Sequence, residues 1–184
     1  KIGIDVEDVL SAAGTKWNFH RHKPGIGVGG HCIPVDPYYY VELSRKVGYP
    51  SLLASSSREI NSRMPEYSAR HISEILDGIG VARVLILGYS YKANVGDTRE
   101  TPVRDLSMYL NNEGHHIMIH DSMVGEEEVP EWVEYVSEPT KCKDLDLVVL
   151  ATNHQEYEFS NTNFCAIFAD SYVLKKLLIF AVGE

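Results

Sequence analysis

Arg83-Val84-Leu85-Ile86-Leu87-Gly88, then Thr101-Pro102, then His116-Ile117-Met118-Ile119-His120-Asp121: this succession decides the fold of the chain. Arg83–Gly88 is a near-continuous apolar run, as expected of a strand covered on both faces in a parallel sheet. Thr101 ahead of Pro102 and Gly114 behind Asn112 mark the two ends of a helix. His116–His120 forms a second strand that ends at Asp121. Val133–Val136 is a short third strand and Leu145–Thr152 a fourth, with Ala166–Asp170 and Leu177–Val182 as further candidates. Strand, helix and strand at this spacing predict an open parallel sheet with helices on its faces.

Toward the N-terminus the pattern becomes helical throughout, and the change falls at Gly78–Gly80, so residues 1–80 and 81–184 are expected to form separate domains. Asp5 is the N-cap of a short helix with Val6, Val9 and Leu10 on one face and Gly14 beyond its end. Asp36-Pro37 gives an N-cap followed by proline in the first position of a second helix, which stops before Gly48. Pro50 opens a third helical region from about Ser51 to about Leu76, where Leu52, Leu53, Ile60, Met64, Ile72, Ile75 and Leu76 recur at intervals near three and four. Pro65 interrupts it, which leaves one kinked helix or two in succession. Arg58, Asn61, Arg63 and Arg70 lie along this region and read as surface side chains. The fold class is therefore α/β, a helical N-terminal region followed by an open parallel sheet.

Of 184 residues, 17 are basic and 26 acidic, and the net charge of −9 argues against nucleic acid or an anionic membrane surface as partner. An anionic ligand must then be held by a local group of cations. Lys16, His20, Arg21, His22 and Lys23 supply one, either as a solvated loop or as an anion-attracting approach to the glycine-rich stretch beyond. Three cysteines, Cys32, Cys142 and Cys165, are too few for a disulfide framework and leave at least one free thiol, which fits a reducing cytoplasm. No apolar run approaches the roughly 20 residues that span a bilayer, and the first residues show no signal-peptide pattern. The chain opens on Lys1-Ile2-Gly3-Ile4 with no lead-in, so it is expected to be a piece of a longer protein.

The basic run leads into Pro24-Gly25-Ile26-Gly27-Val28-Gly29-Gly30-His31-Cys32-Ile33-Pro34-Val35-Asp36-Pro37-Tyr38-Tyr39-Tyr40. Gly25, Gly27, Gly29 and Gly30 allow backbone angles closed to other residues, so several peptide N–H groups can turn toward one ligand. Cys32 comes next, between that loop and a helix N-terminus, and both supply positive potential to a thiolate. Cys32 is the candidate nucleophile, whereas Cys142 and Cys165 read as plain thiols. A metal site built from His20, His22, His31 and Cys32 is disfavoured, because their spacing fits no usual zinc pattern.

A dinucleotide site would need G-x-G-x-x-G directly after the first strand, so that the backbone could approach the pyrophosphate. Gly88-Tyr89-Ser90-Tyr91-Lys92-Ala93 does not supply it, and Asp121 imitates the ribose-binding acid without the glycines that should accompany it. Gly88 instead leads into a long loop, Tyr89–Thr101, carrying Lys92, Asn94, Gly96, Asp97, Arg99 and Glu100. Loops of this length in compact domains are usually functional. This one leaves the carboxyl end of a strand, where open α/β sheets bind their ligands. Lys92 and Arg99 suit a diphosphate or a nucleotide; alternatively Asp97, Arg99 and Glu100 form an ion-pair lattice that shapes the loop.

Three motifs in order, Gly27-Val28-Gly29-Gly30-His31-Cys32-Ile33-Pro34-Val35-Asp36-Pro37, Asn61-Ser62-Arg63-Met64-Pro65 and Gly88-Tyr89-Ser90-Tyr91-Lys92-Ala93-Asn94-Val95-Gly96-Asp97-Thr98-Arg99-Glu100-Thr101-Pro102, make the chain resemble the UDP-glucose/GDP-mannose dehydrogenase family. The resemblance runs from near the start to about Thr152 and thins after Asn153. It implies a Rossmann-like nucleotide-sugar-binding domain over 81–184 and, over 1–80, the second half of the family's central helical region, through which a homodimer forms. The family's NAD domain has no counterpart in this sequence, so the chain alone is expected to be inactive.

The resemblance also implies an NAD-dependent, four-electron oxidation of the C6 alcohol of a UDP-sugar to a carboxylate. Cys32 matches the catalytic cysteine, which adds to the C6 aldehyde as a thiohemiacetal and later carries a thioester that water hydrolyses. Asp36 matches the aspartate that assists the oxyanion and the water. Gly27, Gly29 and Gly30 would wrap the substrate, Lys92 matches the lysine that contacts it, and His31 and Arg99 are further candidate contacts. His31 before the cysteine, with Ile33–Tyr39 after it, resembles members acting on UDP-N-acetylhexosamines. The family's catalytic lysine and its companion asparagine match no position here. Where many members carry Asp-x-Arg, this chain has Asp170-Ser171-Tyr172. The alternatives are a UDP-glucose 6-dehydrogenase and a non-catalytic module for UDP-sugar binding and dimerisation.

Overall fold

The computed structural model describes residues 3–22 and 25–157. Lys23, Cys165, Asp170-Ser171-Tyr172 and the two last candidate strands lie outside them. Asp5 starts the first helix, α1 (Val6–Ala13), by accepting the Glu7 amide on its side chain, and no α1 residue is buried. The second helix, α2 (Asp36–Lys46), begins one residue earlier than its sequence suggests. Val35 is the cap, without a side-chain bond, so Asp36 and Pro37 are the first two helical residues. The cause is the Cys32 carbonyl, which already accepts the amides of both Val35 and Asp36 and draws Asp36 into the turn. Its carboxylate then stands in the first turn, where the helix dipole favours a negative charge.

Helix α3 (Leu52–Ile75) is capped by the Ser51 side chain on the Ala54 amide and runs unbroken through Pro65. That proline has no N–H to give to the carbonyl four residues back. The helix continues because Pro65, Ser68, Ala69 and Ile72 are buried, and packing holds what one missing bond would loosen.

The sheet is made of β1 (Arg83–Leu87), β2 (His116–His120), β3 (Glu134–Tyr135) and β4 (Leu147–Leu150), in the order β3-β2-β1-β4. All three pairings are parallel, and Val84 lies beside both Ile117 and Leu147. Helix α4 (Pro102–Asn112) connects β1 to β2; the Thr101 side chain accepts the Val103 amide at its start, and Gly114 turns the chain beyond its end with φ +92°. Alternation along β1 sorts the core into two faces. Val84 and Ile86 join Ile117, Ile119, Leu147 and Val149 under α3 and α4, in a cluster that also takes in Ile26, Ala69, Ile72 and Leu106. Leu85 and Leu87 face the other way, with Met118, Val148 and Tyr157. No described helix is long and apolar enough to cross a membrane.

Candidate functional site

β1 has β2 on one side and β4 on the other, so the crevice at the carboxyl ends of β1 and β4 is the topological switch point of the sheet. Two segments leave there, the loop Tyr89–Thr101 and the stretch after β4, and one buried network ties them together. Asp121 accepts the amides of Tyr89 (2.7 Å) and Ser90 (2.8 Å) on Oδ2 and that of Met123 (2.8 Å) on Oδ1. His154 Nδ1 accepts the Asn94 amide at 2.9 Å, which assigns the ring proton to Nε2, 3.0 Å from Asp121 Oδ2 and 3.1 Å from Ser90 Oγ. Both side chains are only 1% exposed. Burial opposes the charge on Asp121, yet the bonds from His154, Ser90, Tyr89 and Met123 overcome it and hold the carboxyl well below the usual carboxylate range. The Asn94 side chain accepts the Gln155 amide and completes the tie.

This network excludes the dinucleotide reading on grounds the sequence does not reveal. Asp121 is spent on three backbone amides and His154 and is only 1% exposed, too buried to meet a ribose. Gly88, at φ +87°, serves a close approach of chains: a Cβ there would lie 2.4 Å from the Thr152 carbonyl. The described residues therefore do not fit an NAD site.

Farther along the loop, Arg99 folds back on Asp97 in a bidentate pair, with Nη2–Oδ2 at 2.5 Å and Nε–Oδ1 at 2.9 Å. The side-chain and backbone bonds from Arg99 bring the Asp97 carboxyl down to about 2. The ion-pair lattice anticipated for Asp97 and Arg99 is present, while Glu100 contributes its backbone, at φ +50°. Lys92 is exposed and has no acidic partner among the described residues.

The glycine loop meets this second loop directly. Gly30 donates its amide to the Arg99 carbonyl at 2.9 Å, and Val28 donates to the Asn61 side chain on α3, also at 2.9 Å. A Cβ on Gly29 would lie 2.6 Å from both the Glu100 carbonyl and Tyr91 Cβ, and one on Gly30, already at φ +93°, would lie 2.9 Å from the Tyr91 ring. The glycines thus allow the 89–101 loop to lie against this one, and two amides expected to face a ligand are used inside the protein. The amides of His31 and Cys32, both exposed residues, have no acceptor among the described residues and remain available as donors.

Cys32 is an exposed free thiol, and its Sγ is 3.7 Å from Nδ1 of His31, close enough to exchange a proton. Cys32, Ile33, Asp36, Pro37 and Tyr40 line one open groove, so the thiol and the Asp36 carboxylate share a wall. A second cleft of about 250 Å³ adjoins the loop, lined by Val28, Pro34, Arg58, Asn61, Thr98 and Arg104 among others. Arg21, in the basic approach, pairs with Glu7 at 2.8 Å. Asn61 is the residue that sequence reasoning passes over as surface. Its only local signal is its place in the Asn61–Pro65 motif, since its partner lies 33 positions away.

Two family models match the chain: the UDP-glucose/GDP-mannose dehydrogenase family central domain over residues 1–63 and its UDP binding domain over residues 85–175. A UDP-N-acetyl-D-glucosamine 6-dehydrogenase from Salmonella typhi is 39% identical over 86% of this chain and 38% of its own length. A UDP-N-acetyl-D-mannosamine dehydrogenase from Methanocaldococcus jannaschii is 32% identical over 86% of this chain and 35% of its own. The solved structure of a UDP-D-ManNAc dehydrogenase from Pyrococcus horikoshii superposes with a TM-score of 0.76 at 28% identity, covering 93% of this chain and 39% of that one. The chain thus spans under two-fifths of the length of each of these relatives.

Proposed function

Because this chain belongs to the UDP-glucose/GDP-mannose dehydrogenase family, we propose that it is the part of a UDP-sugar 6-dehydrogenase that binds the nucleotide sugar and supplies the thiol. The observation that carries this reading is the hydrogen bond from the Gly30 amide to the Arg99 carbonyl. It joins the loop bearing Cys32 to the loop at the sheet's switch point, which supports reading the sugar-reacting group and a nucleotide-binding crevice as parts of one site. The substrate class is a UDP-N-acetylhexosamine, the substrate named for the Salmonella and Methanocaldococcus relatives.

The steps assigned to this chain are those that exchange no electrons with a cofactor. Cys32 adds to the C6 aldehyde: sulfur bonds to carbon, the thiol proton leaves by way of His31, and the carbonyl oxygen becomes the hydroxyl of a thiohemiacetal. At the end, water attacks a thioester at the same carbon, the carbon–sulfur bond breaks, one of the water's protons goes to the sulfur and the other to solvent, and carboxylate and thiol are released. Asp36, on the same wall, orients that water, and the free amides of His31 and Cys32 are donors for the oxyanion. Lys92 meets the diphosphate as an unpaired cation. The nicotinamide oxidant implied by the family finds no site among the described residues and enters neither step. The exposed apolar face of α2 and α3 is proposed to pair two copies of the chain.

A thermal-shift series with UDP, UDP-N-acetylglucosamine, UDP-N-acetylmannosamine, UDP-glucose and GDP-mannose tests the reading. A ligand of the native state present at a hundred times its Kd stabilises by about 2.7 kcal/mol. The uridine nucleotides are expected to raise Tm, the N-acetylhexosamine forms most, and GDP-mannose is not. A series in which no uridine nucleotide moves Tm overturns the proposal.

A further inference from the structure

The motif Asn61-Ser62-Arg63-Met64-Pro65 takes no part in the chemistry above, yet it lies against the loop that carries the thiol. We infer that Asn61 is a positioning residue for Cys32, an inference that rests on the reading of Cys32 as the nucleophile. The stretch Gly27–Cys32 contains three glycines, which lack side chains to pack and are free over most of backbone space. On its C-terminal side Cys32 is fixed by its own carbonyl, which takes the amides of Val35 and Asp36 at the start of α2. On its N-terminal side the hydrogen bonds that hold the loop, among the described residues, are two amide bonds, from Val28 to Asn61 and from Gly30 to Arg99. Only the first of these is made by a side chain, and so only that one depends on which residue stands there.

The helix is shaped for this contact. Pro65 cannot donate to the carbonyl of Asn61, so α3 is one bond short at the turn from which the Asn61 side chain reaches out. Gly27 settles onto that turn: a Cβ at position 27, where φ is +129°, would lie 3.5 Å from the Asn61 carbonyl and 3.8 Å from Met64 Cβ. Ser62 and Arg63 look elsewhere, to the Arg58 carbonyl and to Glu59. Asn61 and Arg99 therefore clamp the glycine loop from opposite elements, α3 and the switch-point loop, four and two residues ahead of the thiol.

The test compares the chain with its Asn61→Ala and Asn61→Asp variants by two local readouts and one global one. These are amide hydrogen exchange at Val28, iodoacetamide alkylation of Cys32 followed by peptide mass spectrometry, and Tm. Asn61→Ala is expected to speed Val28 exchange about tenfold, the loss of one hydrogen bond that closes the loop. It should also change the Cys32 alkylation rate at least about threefold while Val84–Leu87 exchange stays as in the parent. Asn61→Asp keeps an acceptor for Val28 and should restore both local readouts to within about twofold. Tm separates the loop from the fold: a variant with unchanged β1 exchange has folded. The inference is overturned if Val28 exchange accelerates while Cys32 alkylation does not move, if Val28 exchange does not respond, or if the aspartate fails to restore it. A parent Cys32 that alkylates no faster than Cys142 counts against the nucleophile reading alone, because the Val28 result stands independently of it.

Discussion

Asp121 stands at the end of β2, where a dinucleotide-binding sheet keeps its ribose acid, and here it anchors the switch-point loop instead. Its bonds to Tyr89, Ser90 and His154 span 31 to 33 positions, which is why the sequence shows the acid but not its use. Since its native pKa lies below the value of about 3.9 in the unfolded chain, the native state binds fewer protons than the unfolded one in this range. The stability that Asp121 contributes is therefore full above about pH 5 and is lost as pH falls through the unfolded value toward the native one. Asp121→Asn removes the charge and one acceptor from a buried network, and is expected to destabilise by on the order of 2–3 kcal/mol at neutral pH. The gap between variant and parent should narrow steadily below pH 4, as urea titrations at several pH values would record. A gap that stays constant down to pH 3 would mean that the carboxyl is not held ionised by these partners.

Among the elements, whatever is local in sequence is legible and whatever depends on distant partners is not. Thr101-Pro102 and Gly114 mark α4 because caps act within one turn, and the apolar run 83–88 marks β1 because both its faces are buried. The sequence places the cap of α2 one residue late because a backbone carbonyl, at Cys32, decides it. The glycine loop reads as a cradle for a ligand, and its glycines turn out to admit the neighbouring loop as well. That distinction can be tested with two glycines. Gly29→Ala places a Cβ 2.6 Å from both the Glu100 backbone carbonyl and Tyr91 Cβ, and neither is the far end of a side chain that could swing aside. Overpacking of this kind costs about 1–3 kcal/mol, which lowers Tm by about 3–10 °C in a chain of this size. Gly80→Ala meets nothing within 4 Å and has no left-handed φ, so it should leave Tm unchanged or raise it slightly. Equal effects of the two substitutions on Tm would refute the close approach of the two loops.

At the scale of the whole molecule, the alternation of strand and helix announces an open parallel sheet, but not that β1 lies inside it between β2 and β4 or that Ile26, Ala69 and Ile72 join its core. With those residues buried against the sheet, the opposite side of the helical region is left uncovered by the described residues. Tyr39 is 74% exposed, Leu43 60%, Tyr49 83%, Leu52 79% and Leu53 82%, all on α2, its end and the first turn of α3. Neighbouring exposed aromatic and aliphatic side chains of this number mark a surface that another surface covers. A closed pair of identical chains is the commonest way to cover it, because one self-complementary patch then serves both copies. The chain is therefore expected to sediment as a dimer at micromolar concentration. Leu53→Glu together with Tyr39→Glu puts a carboxylate into the middle of each half of the contact and should shift the protein to monomer. Tm in the dilute limit should stay unchanged, since neither side chain is part of the core. A parent chain that sediments as a monomer, or a doubly substituted one that stays dimeric, would remove this face from the assembly.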